Sequence, residues 1–312
     1  MPPDASDNPP PDDRGSRLRS LRKKLAKLNR GPMADRPPAR PEPAPPQASP
    51  RGASPESIVY RRNLPRVEAP RVPTGGGISI PLEKCVQGCE TPCSCGPAFH
   101  LIEVSVVEAE PECPELPTHL ACSLEALSQG LPFTVRPEDV CFLDIETTGL
   151  GTALTFLIGT LVWHEGDIVC RQYLARTYAE EVSILAHFAE TFARTPFVVT
   201  FNGKTFDVPS LRARAAATGV VLPEARFHFD LLHEARRRYR DRLPDCKLQT
   251  LERRVCGRHR HDDIPGSEIG RAYHDFVRTG DAREIAQIVQ HNQWDLVTMV
   301  HLLARMVLVK NA

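Results

Sequence analysis

Residues 140–149 read VCFLDIETTG, an apolar run that leads into two acids and a turn. The apolar run at 140–143 predicts a buried strand, and because side chains alternate along a strand, Asp144 and Glu146 share one face at its end. Two carboxylates this close repel each other, and burying them is costly unless a cation lies between them. The stretch therefore predicts either a divalent metal site at a strand end or, as the ordinary alternative, a solvated Asp and Glu.

The chain has 312 residues and a net charge of zero, but the charge is unevenly distributed. Residues 1–80 carry 15 Lys and Arg against 8 Asp and Glu, whereas residues 81–140 carry 2 against 10. Of the 30 prolines, 17 lie in residues 1–80. Such a density does not support a packed core, so we predict disorder over residues 1–78. The sequence shows no secretory signal and no apolar run long enough to cross a bilayer, so we expect a cytoplasmic protein.

A short basic helix is predicted within this proline-rich region, over residues 16–30 (SRLRSLRKKLAKLNR). Its leucines recur at spacings of three and four, and its other faces carry Arg and Lys. Such a helix suits a nucleic-acid backbone, an anionic membrane or a protein partner. A fraying helix without a partner is the alternative, because a helix this short is marginal alone.

An acidic, cysteine-containing lead-in is predicted over residues 79–135. Residues 100–107 have strand character, and residues 123–127 predict a short helix capped by Ser123. Four cysteines precede these elements at C-x3-C-x3-C-x-C spacing, which differs from the C-x2-C pairs of most structural zinc sites. Zinc binding and unpaired thiols are the two interpretations of this cluster, which consists of Cys85, Cys89, Cys93 and Cys95.

From residue 136 onward the pattern becomes regular and predicts an α/β domain that runs to residue 312. Three strands, with a hairpin turn at residues 164–167, are followed by alternating helices and strands, which is typical of a mixed sheet flanked by helices. The continuously apolar run at 197–201 predicts a strand buried on both faces. The predicted strands are 140–144, 154–163, 168–174, 197–201 and 227–230, and the first two helices are 179–194 and 206–217.

Further acids follow at two later places. Asp207 comes just after the fourth strand, where open α/β sheets bind ligands, although the first turn of a helix also favours an ordinary acid. His291 and Asp295 are four positions apart in a stretch with helical periodicity. They therefore share one helix face, either as site residues or as a simple surface pair.

These three motifs, Asp-x-Glu, Asn-x4-Asp and His-x3-Asp, resemble in this order the exonuclease motifs of the DEDD superfamily. Residues 138–309 more closely resemble the YprB-like group of predicted exonucleases, which have the ribonuclease H-like fold. The stretches that carry the resemblance include FLDIETTGL, TFNGKTFDVPSL and HNQWDLVTM. The resemblance implies a ribonuclease H-like exonuclease domain over residues 136–312.

For the chemistry, the resemblance implies that four carboxylates hold two Mg²⁺ or Mn²⁺ ions and that His291 is the general base, as in the DEDDh branch. The four are Asp144, Glu146, Asp207 and Asp295. It also implies 3′–5′ exonuclease activity on single-stranded ends of DNA or RNA. General chemistry agrees, because these ions prefer carboxylate oxygens, and two of them activate a water and stabilise a leaving oxygen. A histidine titrates near neutrality and can accept the proton of that water.

The substrate surface is predicted to be basic. Residues 236–260 carry ten Lys and Arg against three acids, which indicates a phosphate-binding track or, as the alternative, a solvated helix face. Phe206 and Trp294 are candidates for base stacking, although Trp294 also suits a core position. The candidate substrate contacts are Asn202, Lys204, Phe206, Arg253 and Arg254.

Two other functions fit the same sequence. One is a nucleic-acid-binding module that keeps the fold without catalysis. The other is a scaffold in which the basic helix at 16–30 and the cysteine cluster bind a partner or a metal.

Overall fold

The computed structural model describes residues 79–308. The predicted disorder of residues 1–78 and the predicted helix at 16–30 lie outside the described residues. The described part is built on a mixed sheet flanked by helices, which confirms the predicted fold class.

The strands of the described part are β1 (Cys89–Thr91), β2 (Phe99–Ser105), β3 (Val140–Thr147), β4 (Thr155–His164), β5 (Asp167–Leu174), β6 (Phe197–Thr200) and β7 (Phe227–Asp230). Their order in the sheet is β1-β2-β5-β4-β3-β6-β7. Strands β3, β4 and β5 form an antiparallel meander, whereas β6 runs parallel to β3 and β7 parallel to β6. The turn between β4 and β5 has φ angles of 50° at Glu165 and 91° at Gly166, which suit a type I′ hairpin and confirm the predicted turn.

The helices of the described part are α1 (Leu82–Cys85), α2 (Val106–Ala109), α3 (Leu116–Ser128), α4 (Glu181–Arg194), α5 (Asp207–Thr218), α6 (Leu231–Tyr239), α7 (Leu248–Leu251), α8 (Ile269–Thr279) and α9 (Arg283–Leu308). Short 3₁₀ turns precede β3 (Pro137–Asp139) and α4 (Tyr178–Glu180), and a π turn (Glu252–Cys256) follows α7. The helices predicted at 179–194 and 206–217 are confirmed, with shifts of one or two residues at their ends. Among residues 79–308, no helix combines the length and the apolar composition that crossing a bilayer requires.

Alternation along β3 divides the core between the two faces of the sheet. Leu143 and Ile145 belong to one buried apolar cluster, and Phe142 belongs to the other. Asp144 and Glu146 continue the face of Phe142, because residues two apart on a strand share a side. The second half of α9 packs on that same face, so it approaches the two carboxylates.

The lead-in contributes directly to this sheet. Strand β2 pairs antiparallel with β5, and β1 pairs with β2 at the sheet edge. The helix predicted at residues 123–127 lies within α3, but the prediction that Ser123 caps it is wrong. Helix α3 begins seven residues earlier, and Ser123 Oγ donates to the carbonyl of His119 at 2.6 Å inside it. The boundary predicted between residues 79–135 and 136–312 stays a prediction, and the sheet is continuous across it.

Candidate active site

A cleft of about 580 Å³ opens at the carboxyl end of β3, and the four predicted metal ligands and the predicted general base line it. Asp144 and Glu146 lie on β3, and Asp207 is the first residue of α5, which follows β6. His291 and Asp295 lie one turn apart on α9. The cleft is therefore the place where a strand end, a helix start and a helix face meet.

Asp207 is hydrogen-bonded to β3, the strand that carries Asp144 and Glu146. Its Oδ1 accepts a hydrogen bond of 3.2 Å from the backbone N–H of Ile145, and the residue is only 3% exposed. Burial raises the pKa of Asp207, and the backbone N–H groups of Asp207 and Ile145 offset only part of this, so the pKa is about 7. Burial thus disfavours the ionised form of this acid in the absence of a cation.

The pKa values of Asp144 and Glu146 are raised well above the usual range of carboxyl groups. Burial is the largest cause for both, and repulsion by Asp295 is the next. A hard divalent cation stabilises the ionised form of carboxylates crowded in this way, and it prefers their oxygen atoms as ligands. The donor set therefore suits Mg²⁺ or Mn²⁺. Within residues 79–308, however, no three His, Cys, Asp or Glu side chains are arranged to hold one ion, so the fit is one of chemistry and not of preformed geometry.

Asn292, which had no predicted role, fixes the orientation of the Asp144 carboxylate. Its Nδ2 donates to Asp144 Oδ2 at 2.8 Å and to the Asp144 carbonyl at 3.3 Å. Its Oδ1 accepts a hydrogen bond of 2.9 Å from Gln172 Nε2. The Asn292 amide is fully buried against Gly159 on β4. It fits there because Gly159 has no side chain, and a Cβ at that position would overlap the amide. The glycine within an apolar strand was the available signal of a close approach.

His291 is oriented by Asp263, a second residue that sequence reasoning missed. His291 Nδ1 lies 2.7 Å from Asp263 Oδ1, and Nε2 lies 3.7 Å from Asp295 Oδ2. Burial acts to lower the pKa of His291, but the hydrogen bond to Asp263 and the charge of Asp295 outweigh it and raise the pKa. Burial likewise acts to raise the pKa of Asp263, but its bond to His291 holds the pKa below the usual value. Asp263 lies in an irregular loop 28 positions from its partner, so no local pattern connects the two.

Two arginines of the predicted phosphate-binding track are buried beneath the site. Arg260 pairs with Asp295 Oδ1 at 2.5 Å and with Glu252 Oε2 at 2.6 Å. Arg258 makes a bidentate pair with Glu110, with distances of 2.6 and 2.7 Å. The side chains of Arg260 and Arg258 are 6% and 7% exposed. The prediction that residues 236–260 contact phosphate is therefore wrong for these two, because charge density in a sequence does not separate exposed arginines from buried, paired ones.

The other predicted substrate contacts divide into two groups. Asn202 and Phe206 line the cleft. The remaining three are exposed and lie outside its lining, namely Lys204, Arg253 and Arg254. Trp294 is 3% exposed, with the guanidinium of Arg260 at 5.7 Å from its ring, so it occupies a core position.

Asp230, at the end of β7, shapes the turn that leads to Asp207. Its carboxylate accepts hydrogen bonds from the backbone N–H groups of Asn202 and Lys204 at 2.9 and 3.1 Å, and from that of Leu232 at 3.0 Å. Asn202 has a φ of 67°, a conformation that is uncommon for residues other than glycine. The bonds to Asp230 hold this turn and thereby position the start of α5.

The four cysteines of the lead-in do not gather into one site. The sulfur atoms of Cys93 and Cys95 are 3.0 Å apart, whereas Cys89 Sγ lies 3.6 Å from Thr91 Oγ1. Cys85 is partly buried at the end of α1. The zinc interpretation thus has no group of three ligands in the described part of the chain.

Comparisons relate the chain to known proteins. A family model of the RNase H superfamily matches residues 141–307. The uncharacterized protein YprB of Bacillus subtilis (strain 168) is 32% identical over 170 residues, which are 53% of this chain and 41% of that protein. The matched region therefore spans about two fifths of the length of this relative. A solved structure, the family B DNA polymerase from the hyperthermophilic archaeon Pyrobaculum calidifontis, is 17% identical with a TM-score of 0.42, over 55% of this chain and 25% of that chain.

Proposed function

Because this chain belongs to the RNase H superfamily, we propose that it is a metal-dependent nuclease that hydrolyses phosphodiester bonds of nucleic acid. The family match and the similarity to YprB confirm the YprB-like, ribonuclease H-like family inferred from the sequence motifs. The observation that carries the proposal is the gathering of four carboxylates and a histidine around one cleft, namely Asp144, Glu146, Asp207, Asp295 and His291.

The four carboxylates would hold two Mg²⁺ or Mn²⁺ ions. When bound, such ions would activate a water and neutralise the charge on the phosphate that is cleaved. Two contacts prepare the carboxylates for this role. Asn292 holds Asp144 Oδ2 at 2.8 Å, and the backbone N–H of Ile145 holds Asp207 Oδ1 at 3.2 Å. Ligands held in fixed orientations lose less conformational entropy on binding.

His291 would accept the proton of the attacking water. Its Nδ1 faces Asp263, which leaves Nε2 as the acceptor in the cleft. A carboxylate at Nδ1 fixes the tautomer of an imidazole and stabilises the imidazolium that forms when Nε2 takes up a proton. Asp263 would therefore be a positioning residue for the general base.

A single-stranded 3′ end is the substrate that we propose for this cleft. Leu150, which is 88% exposed, and Phe206 line it and offer apolar surface to an unpaired base. Arg271 also lines the cleft and offers a positive charge to phosphate, although it is engaged with Glu284 at 2.6 Å. The 3′–5′ direction of cleavage is proposed from the family resemblance.

The test is a panel of single-stranded DNA and RNA labelled at the 5′ or the 3′ end and incubated with the full chain and Mg²⁺ or Mn²⁺. A 3′–5′ exonuclease shortens the 5′-labelled strand one nucleotide at a time and releases the 3′ label at once as a mononucleotide. We expect Asp144→Asn to abolish cleavage, because it removes the charge and keeps the shape. Glu138→Gln, at an exposed acid just before β3, is the matched control and should behave as wild type. Cleavage that Asp144→Asn leaves intact, or no cleavage by wild type, would refute the proposal.

A catalytically silent nucleic-acid-binding module is the second candidate. The ion pair between Arg260 and Asp295 favours it, because a carboxylate engaged by a guanidinium at 2.5 Å is less available to a cation. Titration with Mn²⁺ separates the two functions. A nuclease should bind two ions and lose at least one in Asp295→Asn, whereas a silent module should show no Mn²⁺ binding that depends on Asp295.

A further inference from the structure

Cys93 and Cys95 form a thiol pair that the proposed nuclease reaction does not use. They lie on the loop at residues 92–98, between β1 and β2, and their sulfur atoms are 3.0 Å apart. Cys95 is exposed and Cys93 is partly exposed, so reagents in solution can reach both. The two sulfurs need to approach by only about 1 Å to reach the bond length of a disulfide.

Contacts with α4 hold this loop in shape. Ser183, in the first turn of α4, donates a hydrogen bond of 2.6 Å to the carbonyl of Pro97. Gly96 packs so closely that a Cβ there would lie 2.5 Å from Ser183 Oγ and 2.6 Å from Val182 Cγ1. The loop backbone is therefore fixed directly after Cys95, at Gly96 and Pro97, and the two thiols are presented together.

The surroundings give the two thiols different chemistry. Burial acts to raise the pKa of Cys93, but hydrogen bonds from Cys95, Ser183 and the backbone of Gly96 outweigh it and lower the pKa. The pKa of Cys95 is raised, first because its thiol is hydrogen-bonded to Cys93. The directions of these pKa shifts favour Cys93 as the thiolate of the pair, and the Cys95 thiol lies within hydrogen-bond distance of it.

The other cysteines of the described part lack this combination. Four are buried, and burial raises the pKa of each to about 11 or 12, which keeps their thiols inert; they are Cys113, Cys141, Cys170 and Cys256. Cys89 is exposed, but its sulfur contacts a threonine hydroxyl and not another thiol. A metal site built on the pair would need further ligands, and residues 79–308 contain no group of three.

We propose that Cys93 and Cys95 are a thiol–disulfide exchange pair that low-molecular-weight disulfides, such as oxidised glutathione, convert to an intramolecular disulfide. The Cys93 thiolate attacks one sulfur of the small disulfide, whose S–S bond breaks, and the other sulfur leaves as a thiolate. Cys95 then attacks the Cys93 sulfur of the mixed disulfide, expels the second small thiolate and loses its proton to one of the leaving thiolates. The two cysteines lose two electrons, and one small disulfide is reduced to one thiol and one thiolate.

The test equilibrates the full chain in mixtures of reduced and oxidised glutathione, quenches with acid and blocks free thiols with N-ethylmaleimide. Digestion and tandem mass spectrometry then assign the state of each cysteine. We expect Cys93 and Cys95 to lose their maleimide labels together and to appear as one disulfide, while Cys89 stays labelled. Independent labelling of the two thiols, or equal oxidation of Cys89 at the same glutathione ratio, would overturn the proposal.

Three variants separate the roles of the thiols. Cys95→Ser should accumulate the mixed disulfide of Cys93 with glutathione, because the second thiol is absent. Cys93→Ser should react severalfold more slowly at Cys95, and the matched control Cys89→Ser should form the disulfide as wild type does. Equal reaction rates for Cys93→Ser and Cys95→Ser would refute the assignment of Cys93 as the nucleophile. The wild-type experiment stands without the variants, and it does not depend on nuclease activity.

Discussion

Replacing Gly159 with alanine tests whether the fit between β4 and α9 holds the Asp144 carboxylate. Gly159 pairs with Asp144 across the β3–β4 ladder, and the Asn292 amide fills the space where a side chain would be. An added Cβ would overlap Asn292 Oδ1 and would lie 2.7 Å from Asn292 Cγ and 2.9 Å from Nδ2. Because Asn292 is fully buried, either its amide must break its hydrogen bonds or the strand and the helix must move apart.

The expected cost follows from these contacts. Overpacking of a buried site destabilises a protein by about 1–3 kcal/mol. Displacing the amide also breaks the bond of 2.8 Å to Asp144 Oδ2, and leaving a buried donor without its partner costs about 1–3 kcal/mol. The lower backbone entropy of unfolded alanine offsets about 0.5 kcal/mol. We therefore expect Gly159→Ala to lower the free energy of unfolding by about 3 kcal/mol, and Tm by about 6–12 °C.

The assay is urea unfolding of the full chain, followed by far-ultraviolet circular dichroism, in a double-mutant cycle. Asn292→Ala removes the overlapping atoms, so adding Gly159→Ala to it should cost less than Gly159→Ala costs in wild type, by about 1 kcal/mol or more. Gly130→Ala is the control, because its Cβ would meet nothing closer than the Leu127 carbonyl at 3.5 Å. A cost below about 1 kcal/mol for Gly159→Ala, or additive costs in the cycle, would refute the reasoning.

Three further predictions follow from the buried charges. Asp263→Asn should lower kcat for nucleic-acid cleavage by about 10–100-fold with little change in KM, because His291 loses the carboxylate that orients it, and an unchanged kcat would contradict that role. Arg260→Met should lower the free energy of unfolding by about 3–5 kcal/mol in urea titrations, because the buried Glu252 and the partly exposed Asp295 lose their partner, and a loss below about 1 kcal/mol would mean that water replaces the guanidinium. Burial and the charge of Lys204 lower the pKa of His228 to about 4. Between about pH 6.5 and pH 4 the unfolded chain therefore binds more protons than the folded one. The free energy of unfolding falls as the pH falls through that window. Relative to His228→Gln, wild type should lose about 2 kcal/mol from pH 7 to pH 4, a figure reduced for partial exposure, and parallel pH profiles of the two proteins would exclude this origin.

The elements of residues 136–308 follow closely from local pattern. The alternation around residues 140–147 and the two-residue turn at Glu165-Gly166 are properties of a few neighbouring residues, and the structure has the strand and the hairpin as predicted. The start of α3 differs from the prediction because Ser123 does not cap a helix. Its hydroxyl instead bonds the carbonyl four residues earlier, an alternative that the residue type alone does not distinguish.

Local periodicity alone establishes which acids share a face. Asp144 with Glu146 follows from the two-residue period of a strand, and His291 with Asp295 follows from the turn of a helix. What orients these acids depends on tertiary contacts, because their partners come from distant elements. Asn292 reaches Asp144 across 148 positions and depends on a missing side chain on a third element, and Asp263 reaches His291 from an irregular loop. Backbone periodicity constrains residues within one element, whereas contacts between elements depend on how their side chains pack together.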